Sequence, residues 1–162
     1  MVFAKSEQAA SFLSQAWRER ENVSKIYLAK VTHWPPYLLE EKHNHGTIDA
    51  PLTPSDERLK WKVCKDGEGK SSTTLWRVQK VLEDDALILE LQPVTGRTHQ
   101  LRIHCAHVGS GIVGDSLYGN DRVEQIDPSK DGTRLHLHAH QLSFPHPATK
   151  KDCTYCSSPD WL

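Results

Sequence analysis

The sequence predicts an α+β fold in which two helices pack on a mixed, mainly antiparallel β-sheet. Three observations lead to this prediction. Apolar residues recur at helical spacing near the N-terminus and again after residue 98. Several other stretches alternate apolar and polar residues or are rich in β-branched residues, as strands are. No repeat, low-complexity tract or linker-like composition divides the chain, so residues 1–162 are predicted to form a single domain.

The first helix is predicted in the segment SEQAASFLSQAWRERE. Ser6 is a candidate N-cap, and Glu7 places a carboxylate in the first turn, where the helix dipole favours it. One apolar stripe follows at helical spacing: Ala9, Phe12, Leu13, Ala16 and Trp17. Before this helix, the apolar run MVFAK is typical of a strand. Because a domain rarely opens on a strand without a lead-in, we expect the chain to have lost upstream sequence.

The second helix is predicted from about His99 to Val108. Thr98 is its candidate N-cap, and Gly96, at the turn from strand into helix, is expected to have a positive φ. Gly109 fits the position just after the helix end. One face of the helix is apolar and is predicted to be buried: Leu101, Cys105 and Val108.

The remaining pattern is that of strands and loops. SKIYLAKV predicts a strand over Ser24–Val31, residues 73–94 predict an antiparallel hairpin, and residues 133–147 predict one long strand. WKVCKDGEGKSS predicts a strand, a turn and a return strand. The proline-rich residues 32–58 and the glycine-rich residues 109–132 are expected to be loops, the first with short strand pieces. The tail from residue 148 is weakly patterned.

Composition excludes several classes of protein. No apolar run approaches the length of a membrane span, and MVFAKSEQAASF lacks the form of a secretory signal, so no membrane partner is expected. Four cysteines without such a leader predict reduced thiols in an intracellular compartment, which composition leaves open between cytoplasm, nucleus and organelle. A net charge of -1 counts against a strongly basic nucleic-acid binder, but local patches can still bind RNA.

The segment PVTGRTHQLRIHCAHVG concentrates charge around one turn and helix. Two hypotheses compete for its arginines. In the first, Arg97 and Arg102 are solvated or pair with nearby carboxylates, as most helix arginines do. In the second, the helix N-terminus and Arg97 hold a phosphate, while Arg102 points into a cleft and orients a buried carboxylate. Residue spacing alone does not decide between them.

Four motifs, taken together, resemble those of the RluA-like family of RNA pseudouridine synthases, in the family's order. TGRTHQLRIH resembles the third motif, and SKIYLAKV resembles the second, a strand that carries one tyrosine. VGDSLYG, residues 113–119, resembles the Gly-Asp…Tyr-Gly loop. LHAHQLSFPHP, residues 137–147, is similar to the final core strand. The motifs cover most of the chain, so the resemblance implies the pseudouridine synthase fold.

The resemblance implies isomerisation of uridine to pseudouridine in structured tRNA or rRNA, with no metal and no organic cofactor. Such a reaction needs the target base to leave its stack. By motif, the catalytic candidates are Tyr27, which would pack on the flipped base, and Arg102, which would pair with the catalytic aspartate. The remaining polar residues of the third motif are the candidates for RNA contact: Arg97, Thr98, His99 and Gln100.

The sequence departs from the family at the catalytic acid. The first motif, Arg-Leu-Asp followed by Thr-Ser-Gly, is absent from the 162 residues. Asp115 matches a loop position of the family and is predicted to be a structural turn or cap. We therefore expect this chain alone to be unable to make pseudouridine, and an unpaired sheet edge to favour self-association. The alternative is a non-catalytic RNA-binding or scaffolding protein with the same fold.

Histidines, cysteines and tryptophans raise further hypotheses. A zinc site is disfavoured, because the pair Cys153 and Cys156 stands alone near the chain end. His138 is expected in a core strand, with the neighbouring histidines facing solvent. Trp17 and Trp76 are expected in the core, whereas Trp34 and Trp61, which flank the long loop, are candidates for partner contact. Lys60 and Lys62 share a strand face that is either a protected edge or a path for an RNA backbone.

Overall fold

A computed structural model describes residues 2–20, 22–32, 34–35, 44–65, 67–82, 86–119 and 134–162. Within them lie two helices, α1 (Glu7–Glu19) and α2 (Gln100–His107). The strands are β1 (Ser24–Val31), β2 (His45–Asp49), β3 (Leu52–Pro54), β4 (Trp61–Val63), β5 (Thr73–Val81), β6 (Leu87–Pro93), β7 (Leu137–Pro145) and β8 (Asp152–Cys156).

Six strands form one antiparallel sheet in the order β2-β5-β6-β1-β7-β8, and β3 pairs with β4 in a second, small sheet. The predicted α+β class is confirmed. The strand over Ser24–Val31 is central, with Tyr27 opposite Leu91 on one side and Ala139 on the other. The β5–β6 hairpin is also confirmed, although residues 83–85 between its strands lie outside the described residues.

Helix α1 begins as predicted, with the Ser6 hydroxyl accepting from the Ala9 N–H at 3.2 Å. It ends at Arg20, whose backbone is left-handed with φ 58° and whose N–H donates to the carbonyl of Ala16. The Arg20 guanidinium crosses to the turn after β6 and donates to the carbonyl of Val94 at 3.0 Å. The end of α1 is therefore tied to the turn that leads into α2.

Helix α2 starts differently from the prediction. Its N-cap is His99, in the left-handed region with φ 53° and without a side-chain cap, so the assignment of Thr98 as N-cap is wrong. The Gln100 side chain instead closes the turn before the helix, because its Oε1 accepts from the Arg97 N–H at 3.1 Å. Gly96 is not among the residues with positive φ, whereas Gly109 is, at 88°, as expected after the helix end.

The core lies between the sheet and α2. Leu101 and Cys105 are buried as predicted, and Val108 packs on the same cluster. Trp34 is only 4% exposed and packs on Trp76 with 5.1 Å between ring centroids, so its assignment to partner contact is wrong. Burying a large aromatic ring in the core is favourable because it removes apolar surface from water.

Three predicted strand assignments need correction. Residues 2–5 are not a strand, and Phe3 there is 80% exposed. The strand after the DGEG turn does not form, because β4 pairs with β3 from the long loop and only Lys70 bridges to Leu52. The weakly patterned tail contains β8. Predictions for residues 36–43 and 120–133 lie outside the described residues. In the part of the chain that the structure describes, no helix is long and apolar enough to cross a membrane.

Candidate active site

A cavity of about 740 Å³ opens between the end of α1, strand β1 and the turn between β6 and α2. Tyr27 and Arg102 both line it, as does His99. Its described lining residues include four cationic side chains and no acidic one. These four are Arg20, Lys25, Arg97 and Arg102. Such a cavity favours an anionic ligand. We call it the Tyr27–Arg102 cavity.

Tyr27 also borders a second, more apolar cavity of about 930 Å³ between α1, β7 and β8. Arg102 does not line that cavity. Lys25 borders both cavities, and burial together with the nearby Arg20 holds the pKa of Lys25 below its ordinary value. The two predicted catalytic residues therefore come together only in the Tyr27–Arg102 cavity.

Arg102 forms a two-pronged ion pair with Asp115. Its Nε donates to Oδ2 at 2.8 Å and its Nη2 donates to Oδ1. The side chain of Asp115 is fully buried and that of Arg102 is 15% exposed. The hydrogen bond to Asp115 raises the pKa of Arg102. Burial alone would raise the pKa of Asp115, but the bonds from Arg102 and from the N–H groups of Tyr118 and Leu117 outweigh it and lower that pKa.

Asp115 is also the turn residue that the sequence predicted. Its Oδ1 accepts from the N–H groups of Leu117 and Tyr118, each at 3.0 Å. The family resemblance implied a partner of Arg102 outside the 162 residues, whereas the structure pairs Arg102 with Asp115, as in the hypothesis of a nearby carboxylate. Asp115 already neutralises Arg102, and its bonds to Nε and Nη2 leave three N–H groups of the guanidinium unused among the described residues, two on Nη1 and one on Nη2.

Tyr118 joins the same cluster. Its hydroxyl lies 3.0 Å from Nδ1 of His99 and accepts from the Trp61 N–H at 3.0 Å. Its ring lies against the Arg102 guanidinium, 5.1 Å from the ring centroid, at cation–π distance. Trp61, a candidate for partner contact, thus contributes its backbone to the site.

Of the other candidates for RNA contact, Arg97 and Gln100 line the cavity and Thr98 does not. Arg97 donates through Nε to the carbonyl of Ser71 at 3.2 Å. Thr98 is exposed. Gln100 is buried, and its amide is fully used: Oε1 bonds Thr95 and Arg97, and Nε2 donates to Thr73 and Thr74. Its geometry favours a structural role in the turn.

Comparison with known proteins decides the family. The family model described as RNA pseudouridylate synthase matches residues 1–107. The chain belongs to the RNA pseudouridylate synthase family. This stretch contains Tyr27 and Arg102, while the Gly-Asp…Tyr-Gly loop lies beyond it.

Relatives support this assignment. The chain is 40% identical over 152 residues to the dual-specificity RNA pseudouridine synthase RluA of Vibrio parahaemolyticus, covering 91% of this chain and 56% of that protein. It is 33% identical to the Escherichia coli K12 protein of the same name, covering 99% of this chain and 68% of the relative. The fold resembles human RNA Pseudouridylate Synthase Domain Containing 1 with a TM-score of 0.77 and 26% identity, covering 98% of this chain and 63% of that one. The chain thus spans between about half and two thirds of these pseudouridylate synthases.

One group of this chain was not predicted from its sequence: the buried imidazole of His104. It is fully buried, with Nδ1 2.9 Å from the Thr74 hydroxyl and Nε2 3.0 Å from the carbonyl of Ala50. Burial lowers its pKa, although the bond to Ala50 opposes the shift. The helical spacing of α2 could have predicted its burial, because position 104 lies three residues after the buried position 101 and next to the buried position 105, on the helix face that packs on the sheet.

The remaining hypotheses concern histidine, cysteine and lysine side chains in the described part of this family member. No group of three or more metal-ligating side chains is present there. Cys153 and Cys156 are three residues apart on strand β8, so their side chains point to opposite faces. His136 is 3% exposed rather than facing solvent, and its ring packs on Trp161. The Nζ of Lys62 lies 3.4 Å from Oδ2 of Asp56 at the surface, and a surface ion pair of this kind contributes little to stability.

Proposed function

We propose that this chain binds RNA as part of a pseudouridine synthase, with a uridine extruded into the Tyr27–Arg102 cavity. In this proposal Tyr27 packs on the base, Arg102 faces the reacting nucleotide, and Arg97 and His99 contact the RNA. The observation that carries the proposal is that both motif residues line one cavity, with four cations and no described acidic residue. The substrate class is structured tRNA or rRNA, and the compartment is intracellular.

The acid of the reaction is the part that this chain does not provide. Asp115 is the carboxylate nearest to Arg102, but both of its oxygens are engaged by Arg102 and by backbone N–H groups. A carboxylate held in this way, with a lowered pKa, is a poor nucleophile. We therefore propose that the 162 residues bind RNA without isomerising it, and that a second carboxylate meets the unused N–H groups of Arg102.

RNA binding gives the first prediction. Because Arg102 is already neutralised by Asp115, three cations of the cavity remain for phosphates: Arg20, Lys25 and Arg97. For a single-stranded RNA hairpin loop, log Kd should then change with log salt by a slope of about 2, or roughly twentyfold between ~50 and ~200 mM. Fluorescence anisotropy on a labelled hairpin measures the slope, and light scattering reports self-association in the same samples.

A matched pair of variants makes this prediction sharper. Arg20 lines the cavity, whereas Arg18, two residues earlier on α1, is exposed outside it. Arg20→Gln should lower the slope by about 0.7 and weaken binding, while Arg18→Gln leaves both unchanged. Equal effects from the two variants would show that RNA binds elsewhere.

Supplying the missing acid gives the second prediction. A chimera joins the segment that precedes the matched region in the Vibrio parahaemolyticus relative to Met1 of this chain. We expect pseudouridine, detected by carbodiimide treatment and primer extension, with the chimera and none with the 162 residues alone. Conversion by the chain alone would contradict the proposal. An inactive chimera that is folded and binds RNA would favour the non-catalytic RNA-binding alternative.

A further inference from the structure

The loop Gly114–Gly119, which carries Asp115 and Tyr118, is held rigidly. The residue before it, Val113, donates its N–H to Lys30 of β1 at 2.9 Å and accepts from the N–H of His136 at 2.9 Å. Gly114 has φ 75°, and a Cβ there would lie 2.0 Å from the carbonyl oxygen of Arg134, so only glycine fits. The loop closes on itself through the N–H of Gly119 and the carbonyl of Asp115. The backbone positions of Asp115 and Tyr118 are therefore fixed.

Asp115 fixes the plane of the Arg102 guanidinium. Two parallel hydrogen bonds between a carboxylate and Nε and Nη2 define the orientation of a guanidinium far better than a single contact does. These bonds use the Nε–H and one N–H of Nη2, so both N–H groups of Nη1 and the second N–H of Nη2 remain for another partner. The Tyr118 ring supports the same guanidinium from its face.

The Tyr118 hydroxyl contacts both the Trp61 N–H and Nδ1 of His99. Its oxygen accepts from the Trp61 N–H, and its own proton is available to Nδ1 of His99. A neutral imidazole that accepts at Nδ1 carries its proton on Nε2. His99 also keeps a left-handed backbone, which is unfavourable for a residue other than glycine and is maintained only when its surroundings hold it there.

We propose that Asp115 and Tyr118 are positioning residues of the RNA site, acting through Arg102 and His99 respectively. In this proposal the Tyr118 hydroxyl donates to Nδ1 of His99, so that His99 presents its Nε2 proton to the cavity as a fixed donor, suited to a carbonyl oxygen of a uracil ring. Asp115 holds the guanidinium of Arg102 so that its unused N–H groups can meet the second carboxylate. This inference rests on the proposed function for its ligand, but the tautomer and the guanidinium orientation are properties of the free chain.

The test uses the 162-residue chain with Tyr118→Phe. This variant keeps the ring that supports Arg102 and removes only the hydroxyl. Nitrogen-15 NMR of the imidazoles at about pH 8.5, where an ordinary histidine is neutral, should show His99 protonated on Nε2 in the wild type and mixed between both nitrogens in the variant. Affinity for the RNA hairpin should fall about fivefold. The matched control is Tyr155→Phe on β8, whose side chain is 60% exposed and lies outside the site.

A purely structural role would lower the thermal stability of Tyr118→Phe without moving the tautomer of His99, and that result overturns the inference. A wild-type His99 protonated on Nδ1 also overturns the inference. Because this measurement needs only the wild type, it tests the role of Tyr118 even if the variant does not fold. Asp115→Asn provides the second arm: the Nε proton of Arg102 should exchange with solvent faster than in the wild type, and an unchanged rate contradicts the role of Asp115. If the wild type binds no RNA, the proposed function fails while the NMR results still decide the positioning roles.

Discussion

Replacing Arg102 by alanine should lower the free energy of unfolding by about 3 kcal/mol, because it leaves a fully buried carboxylate without its cation. Asp115 would retain only the N–H groups of Leu117 and Tyr118. Urea denaturation at neutral pH measures the loss. The matched control is Arg77→Ala, which breaks a surface pair with Glu90 and should cost about 0–1 kcal/mol. Similar losses for the two variants would show that burial does not strengthen the Arg102 pair.

Acidification gives this prediction a second, independent readout. In the wild type the folded pKa of Asp115 lies below its ordinary value, so its contribution to stability is complete above about pH 4 and is lost as the pH falls through that lowered pKa. In Arg102→Ala, burial is opposed only by backbone bonds, so the carboxyl protonates more readily in the folded state. The stability difference between the two proteins should therefore shrink below about pH 4. A constant difference would show that the loss comes from packing rather than charge.

The parts of the fold that the sequence predicted well are those set by local pattern. The Ser6 cap, the strand over Ser24–Val31 and the β5–β6 hairpin are each visible in the residue pattern of their own segment. Strand β8 escaped prediction because it lies at the end of the six-strand order and four of its five residues are exposed, which erases the alternation. The pairing of β3 with β4 is set by a contact between Leu52 and Val63 across a loop, and no local signal reports it.

The candidate site shows the same division. Motif resemblance brought Tyr27 and Arg102 to attention, and the structure places both at one cavity. Their electrostatic setting was not predictable, because Asp115 lies 13 residues from Arg102 and reaches it only after the chain turns at Gly114. The predicted N-cap of α2 was wrong for a related reason. Threonine is a common N-cap residue, which favoured Thr98. In the structure the long Gln100 side chain reaches back and closes the turn before the helix.

Replacing His104 by alanine should cost about 3–4 kcal/mol of unfolding free energy. The change empties a fully buried site and leaves the Thr74 hydroxyl and the Ala50 carbonyl without their bonds to the ring. The Thr74 hydroxyl also accepts a hydrogen bond from the Gln100 amide. The variant therefore disturbs the turn that forms one wall of the Tyr27–Arg102 cavity. His107→Ala, on the exposed face of the same helix, should stay within about 0.5 kcal/mol.

The pH dependence of the same histidine separates its charge from its shape. Burial lowers the folded pKa of His104 below its ordinary value near 6.5, so its contribution is complete above about pH 6.5 and is lost as the pH falls through the lowered pKa. His104→Gln keeps a hydrogen-bonding side chain but removes the titration. Its stability difference from the wild type should shrink between about pH 7.5 and 5, and chemical denaturation across that range measures it. Parallel curves would mean that His104 keeps an ordinary pKa in the folded chain, and the loss on truncation would then come from packing and hydrogen bonds alone.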